Sequence, residues 1–461
     1  MMTGKSISSG FAVLMFGALT FCAPATLAKG AELPKSTQLM LKDLKVNATV
    51  LKGLDEALAV PKSILDGAKK EGEVHITGTY DPKQFRSLSR PFKERYPWLD
   101  VRYVRASRYD RVIKPIIALK SGKVLFDVIM GIGGQAYQFQ KLNALADLTD
   151  IPVYKQVPKY MKSASGQVVG MRLLTRCFGY NTEKVKAADL PKTWGDIVTS
   201  KRWANQNLAV VNRANYWALH LWVTQGEDWT KKFLTKLFHD LKPQLRKEAS
   251  NAVQQLLGAG EFDGLLVGTV ARTAQLTRKG SPIALHCPEP IVPTQVSALT
   301  VLKGGKVNAG KLFSNWFLTR EGQVAQYHAA RYLPFYTDLQ KAGLNPLPNL
   351  KIDDSKRIYF REDSWPAEAA AVAKFWENLW LGRQGLKLRT VKVMIDAAKR
   401  GGRRYHFKVD GKAQKVRVSS SRTVVTLNGA RAGRKSVKKG MLCTITYPGN
   451  DQTAKSVACA K

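Results

Sequence analysis

The chain has 461 residues, 44% of them hydrophobic, enough for two or three domains with sizeable cores and too apolar for a disordered polymer. Its formal net charge of +38 predicts attraction to anions and says nothing about fold. There is no GxSxG, no HExxH and no cysteine with a convincing histidine partner, and the six histidines are scattered singly, so an enzyme is not expected.

Lys5 precedes the apolar run GFAVLMFGALTFC, Gly10 to Cys22, and then the small residues of APATLA. This reads as a secretory signal over residues 1–28, cut after Ala25 or Ala28, and it predicts a periplasmic protein. The run is too short to span a membrane, and no later run reaches spanning length. Cys22 raises lipoprotein processing, but Phe21 before it is bulky where a small residue is needed.

Residues 29–72 read as a helical extension, with apolar residues spaced three and four apart in LMLKDLKVNATVLKGLDEAL. From Glu73 the pattern alternates. EVHITGTY, LDVRYVRAS and VLFDVIMG read as strands, separated by the helical PKQFRSLSRPFKERYP and RVIKPIIALKSGK. After MRLLTRCFGYNT the alternation resumes. LAVVN, FDGLLVG, PIALHCP and QVSALTVLKG are strands, and YWALHLWVTQ and SNAVQQLLGAG are helices, the latter with Ser250 as N-cap and Gly258 near its stop. AGKLFSNWFLTREGQVAQY reads as one long amphipathic helix. An α/β chain with a mostly parallel sheet follows, in two lobes. Lobe 1 covers residues 73–168 and returns at 291–386, and lobe 2 covers 169–290.

Residues 387–461 change character. They hold nineteen Lys or Arg against three Asp, a net charge of +16. YHFKVDGKAQKVRVS carries a hairpin turn at Asp410-Gly411 and TVVTLNGARA another at Asn428-Gly429, and GMLCTITYPG and KSVACAK are further strands. A small all-β domain is expected. With Cys22 removed four cysteines remain. Cys443 and Cys459, in this one unit, are paired; Cys177 and Cys287 either pair across a sheet or stay as small buried hydrophobes. A disulfide offsets the small core of such a unit.

The glycine knot GIGGQ, after the FDVIM strand, is not a nucleotide loop. A P-loop needs Lys-Ser or Lys-Thr after its last glycine, where Gln135-Ala136 stands, and Gly131, Gly133 and Gly134 do not fit GxGxxG. Its glycines either expose N–H groups to an anion or only make a tight turn.

GAKKEGEVHITGTY, FKERYPWLDV, FDVIMG, LNALADL, CFGYNTEKVKAADLPKTWGDI, LLGAGEFDG, RKGSPIALHCPE and LFSNWFLTREGQVAQ follow one another from about Ile64 to Leu350. This ordered series resembles the extracellular solute-binding proteins of bacterial ABC importers, in the branch that holds ferric-iron and small-anion binders. The resemblance implies a clamshell whose chain crosses the hinge twice, near residues 165–173 and 288–298. It also implies a ligand trapped between the lobes and delivery to a membrane permease, with no cofactor and as a monomer. In RYLPFY it implies that Tyr332 reaches the cleft.

Open α/β sheets bind at the carboxyl ends of their strands. The loops there offer Thr79 and Tyr80, Arg108, Gly133 and Gly134, Arg213, Asn215 and Tyr216, and Thr269 and Arg272. Arg213 beside a helix start can fork onto an anionic oxygen. Iron binders of the family use a consecutive tyrosine pair. This chain has none, so no metal is expected and a small anion is favoured, with a ferric-iron transport protein as the alternative. A further alternative is an envelope-polymer binder acting through residues 387–461. Nucleic acid is not expected, because aromatics are sparse there.

Overall fold

In EVHITG, alternate side chains turn inward, and this segment forms the first strand, β1 (Glu73–Gly78), with Val74 and Ile76 fully buried. The structure, a computed structural model, describes residues 32–460 apart from 108, 134–135, 215–216, 290–291, 354, 356, 362–364, 383–387 and 421–422. The expected signal segment, residues 1–28, lies outside the described residues. β2 (Asp100–Arg105) and β3 (Val128–Ile132) flank β1 in parallel. After them come β4 (Val169–Asn181), β5 (Leu208–Val211), β6 (Gln244–Arg246), β7 (Gly264–Thr269), β8 (Ile283–His286), β9 (Val292–Val301) and β10 (Arg357–Phe360). They make one mixed sheet in the order β2-β1-β3-β9-β4-β7-β5-β6, with β10 joined to β9 and β8 to β4.

β4 holds the two halves together. Through Thr175 it pairs antiparallel with β9; from Arg176 onward it pairs with β7 and β8. Each half has its own core. One gathers Phe92, Phe313, Trp316 and Phe317, the other Phe178, Trp194, Trp203 and Phe238. Burying each such phenylalanine contributes about 1.5–3 kcal/mol. The helix Pro366–Gly382 lays Trp376 and Trp380 on the second core. Cys177, the residue after the switch point, is bonded to Cys287.

The long helix expected over AGKLFSNWFLTREGQVAQY is two helices, Val307–Leu318 and Arg320–Ala330. Thr319 breaks it: its backbone is extended and its hydroxyl accepts from the Gly322 N–H, so it caps the second helix. PKQFRSLSRPFKERYP likewise splits at Ser89, where Pro91 cannot continue the preceding ladder. The amino-terminal extension forms helices Lys35–Leu44 and Lys62–Glu71. Glu71 ends the latter and caps the helix Val307–Leu318, accepting from the Asn308 N–H at 3.2 Å and the Ala309 N–H at 2.7 Å.

The carboxy-terminal segment forms β11 (Arg389–Met394), β12 (Ala397–Lys399), β13 (Arg404–Val409), β14 (Lys412–Arg417), β15 (Val424–Leu427), β16 (Ala430–Arg431), β17 (Leu442–Tyr447) and β18 (Ser456–Ala460). One sheet runs β11-β17-β18-β15-β16 and the other β12-β13-β14. Tyr405, Phe407, Ile445 and Tyr447 fill the space between them. The turns at Asp410-Gly411 and Asn428-Gly429 have positive φ at both residues, which suits tight antiparallel hairpins. Cys443 and Cys459 face each other on β17 and β18 and are bonded. Among the described residues no helix is long and apolar enough to cross a membrane.

Candidate ligand-binding cleft

Arg172, Leu174 and Arg176 share one face of β4, because side chains repeat every second residue along a strand. That face borders a cavity of about 1050 Å³. The ends of β1 and β3 supply Thr79, Gly131 and Gly133 to its border, and the segment after β5 supplies Asn212 and Arg213. Trp376 and Trp380 enter from the helix Pro366–Gly382, and Arg111 from the turn after β2. Gly131 has φ +75° at a bulge between β3 and β9, and a Cβ there would come within 3.0 Å of Thr79. The glycine therefore lets β3 turn its end toward Thr79.

Arg172 is 4% exposed. Its guanidinium carbon lies 3.9 Å from the Tyr332 ring centre and 4.8 Å from that of Tyr80, within cation–π range of both. Nη2 donates to Thr79 Oγ1 at 2.7 Å, while Nε and Nη1 have no hydrogen-bond partner among the described residues. No ion pair reaches this group among the described residues, and a guanidinium does not deprotonate in proteins, so a permanent cation is held with little exposure to solvent. Arg176 is also buried and donates from Nη2 to Gln295 Oε1 at 3.0 Å. Arg111 donates from Nη1 to the Ala106 carbonyl at 2.8 Å.

Tyr80 and Tyr103, both near Arg172, are neutral phenols. Burial pushes Tyr80 well above the usual tyrosine value, against the opposing pull of Arg172. Its hydroxyl donates to Gln326 Oε1 at 2.7 Å. Burial raises Tyr103 to about 12, and its hydroxyl donates to the Tyr80 carbonyl.

Eleven Lys or Arg and two Glu border the cavity among the described residues, so its field is strongly positive. Both carboxylates are already paired, Glu248 with Arg246 at 2.7 Å and Glu377 with Lys455.

The structure brings Thr79, Gly133 and Arg213 to the cavity. Tyr80 and Tyr332 stand behind Arg172 and support it. Thr269 and Arg272 do not border this cavity: the Thr269 N–H donates to Gln254 Oε1, and Arg272 Nη1 donates to Gln275 Oε1. Arg108, Gly134, Asn215 and Tyr216 lie outside the described residues. Arg172 and Arg176 were not expected from strand-end loops. The available signal was two arginines at even spacing on an otherwise apolar strand, MRLLTRCFG. Among the described residues no three of His, Cys, Asp or Glu gather in one place.

The model of the bacterial extracellular solute-binding protein family matches residues 88–350, more than half the chain. The chain belongs to this family of solute-binding proteins. Members capture small molecules outside the cytoplasmic membrane for an ABC permease, and the family is one of transport rather than of catalysis. Solved structures share the fold. Iron-bound HitA from Pseudomonas aeruginosa is 16% identical with a TM-score of 0.53, over 67% of this chain and 99% of that one. An ABC transporter substrate-binding protein from Bradyrhizobium japonicum USDA 110 is 17% identical with a TM-score of 0.54 over the same shares. AfuA from Actinobacillus pleuropneumoniae, with fructose-6-phosphate bound, is 16% identical with a TM-score of 0.51, over 69% of this chain and 100% of that one. No curated protein matches the sequence.

Proposed function

We propose that this solute-binding protein is exported to the periplasm, loses its signal segment near Ala25 or Ala28, and captures a small organic anion for import, without catalysing a reaction. The observation that carries the reading is Arg172, a buried cation at the cavity with two guanidinium nitrogens lacking hydrogen-bond partners among the described residues. An anionic oxygen would meet both needs, and charge-assisted bonds to a planar fork are strong and directional. Arg176 on the same strand face offers a second cation. The fold also accommodates such cargo, since AfuA holds a phosphorylated sugar.

Ferric iron has less support. Tyr80 and Tyr332 sit against a guanidinium, which would repel a trivalent cation, and burial keeps the Tyr80 phenol protonated. Native mass spectrometry of the protein purified from its own cells tests the choice. A retained organic anion, absent from the Arg172→Gln variant, is the expected result. A retained iron, or an empty mass that no anion in a panel of organic acids and phosphate esters shifts, would sink the reading.

A further inference from the structure

Among the described residues, six further cations border the cavity from the carboxy-terminal β unit: Arg400, Arg403, Arg404, Arg417, Arg434 and Lys455. The family match ends at residue 350, before this unit begins. The solved neighbours are matched over 99–100% of their own length while covering only 67–69% of this chain. Nothing in the shared fold therefore assigns the unit a role.

The unit reaches both sides of the cleft. Lys455 pairs with Glu377 on the helix that packs on the second core. Across the opening, Arg434 is close enough to Asp110, in the turn after β2, to add to the pull that lowers its carboxyl pKa. The segment that presents Arg400 and Arg403 is a fixed feature. Gly402 has φ +76°, and a Cβ there would stand 2.2 Å from the Arg434 carbonyl oxygen, so only glycine lets this turn lie against Arg434. Not all six cations are available. Arg404 and Arg417 share Asp451 at 3.9 and 3.2 Å, and Lys455 holds Glu377. Arg400, Arg403 and Arg434 have no ion pair among the described residues.

Resting on the anion reading above, we propose that the β unit is a working wall of the ligand cleft, and that the ligand is an organic polyanion. One anionic group is held at Arg172 and Arg176 and a second by Arg400, Arg403 and Arg434. Two facing sets of cations repel each other in the empty cleft, and a ligand with anionic groups at both ends turns that repulsion into attraction. A single phosphate satisfies one set only.

Calorimetric titration of the full chain with inorganic phosphate, pyrophosphate and fructose 1,6-bisphosphate tests this. The cavity-facing variant is R400Q/R403Q/R434Q. The control, K408Q/K412Q/K439Q, removes the same charge from exposed positions of the unit that do not border the cavity. The two doubly anionic probes are expected to bind the wild type roughly tenfold or more tighter than phosphate. That preference falls about tenfold in the cavity-facing variant and stays within about twofold in the control. Arg403→Gln alone, at an exposed position, should lower it about threefold and serves if the triple variant misfolds.

Preference retained in both cavity-facing variants overturns the proposal. So does an equal loss in the cavity-facing triple variant and the control, which would mark a diffuse surface field for an anionic polymer. Phosphate binding without any preference for the doubly anionic probes sinks the wall and leaves the anion reading standing. No binding of any probe to the wild type sinks both.

Discussion

The guanidinium carbon of Arg172 lies 3.9 Å from the centre of the Tyr332 ring, so a buried cation rests on an aromatic face and not on a carboxylate. Attraction of this kind is worth about 0.5–2 kcal/mol, while an uncompensated buried ion costs several. The site is thus held ready at the expense of the empty protein's stability. Arg172→Met should raise the ligand-free stability by about 1 kcal/mol in urea titrations and abolish anion binding. Arg172→Lys keeps the charge but loses the fork and the stacking, and should weaken binding about tenfold or more. A lysine variant that binds like wild type would remove the fork from the account.

His220 gives a pH prediction. Burial in the second lobe lowers its pKa to about 4. Above the ordinary value near 6.5 the ring is neutral folded and unfolded, so it costs nothing. As pH falls from about 6.5 to about 4 the unfolded chain takes up a proton that the folded chain refuses, and stability drops by roughly 3 kcal/mol. Urea titrations at pH 7 and pH 4.5 should show a smaller loss in His220→Leu than in the wild type. An equal loss would mean that other groups set the acid sensitivity.

Glu321 gathers four donor groups from three residues in the first lobe. Arg95 binds it through Nε at 2.8 Å and Nη2 at 2.9 Å, Trp316 Nε1 at 2.7 Å and the Thr37 hydroxyl at 2.6 Å. Glu321→Gln strands the largely buried Arg95 and should cost about 3–5 kcal/mol. Chemical denaturation reads this directly, and a loss under about 1 kcal/mol would show that Arg95 finds water instead.

The two disulfides close loops of very different length, with sequence separations of 110 for Cys177–Cys287 and 16 for Cys443–Cys459. Loop-closure entropy assigns the longer one about 5 kcal/mol and the shorter about 3. Paired Cys→Ala variants should follow that order in melting temperature. The reverse order would point to structure in the reduced, unfolded chain.

Local pattern carried much of the fold. EVHITGTY and VLFDVIMG became β1 and β3 because alternation and apolar runs need no long-range information, and Asp410-Gly411 and Asn428-Gly429 forced their hairpins through positive φ. Thr319 was harder to read, since its cap interrupts an apolar period that otherwise continues through both helices. The site was legible only in part. Thr79, Gly133 and Arg213 stand at strand ends, where a sheet opens to solvent. Arg172 and Arg176 stand mid-strand, and their exposure to a cavity depends on where β4 changes partners. The approach of Arg403 and Arg434 to that cavity is set by tertiary packing over long stretches of chain, which no local spacing encodes.

β4 changes partners between Thr175 and Arg176, so Arg172 and Arg176 ride on the strand common to both jaws. A pivot moves least when jaws swing. On the proposed reading, cargo gripped there would stay gripped as the jaws part, and unloading would then be governed by the far wall of the cleft. Substitutions on β4 should shift how tightly cargo is held in every posture of the protein. Substitutions on the β unit should shift chiefly how long it stays.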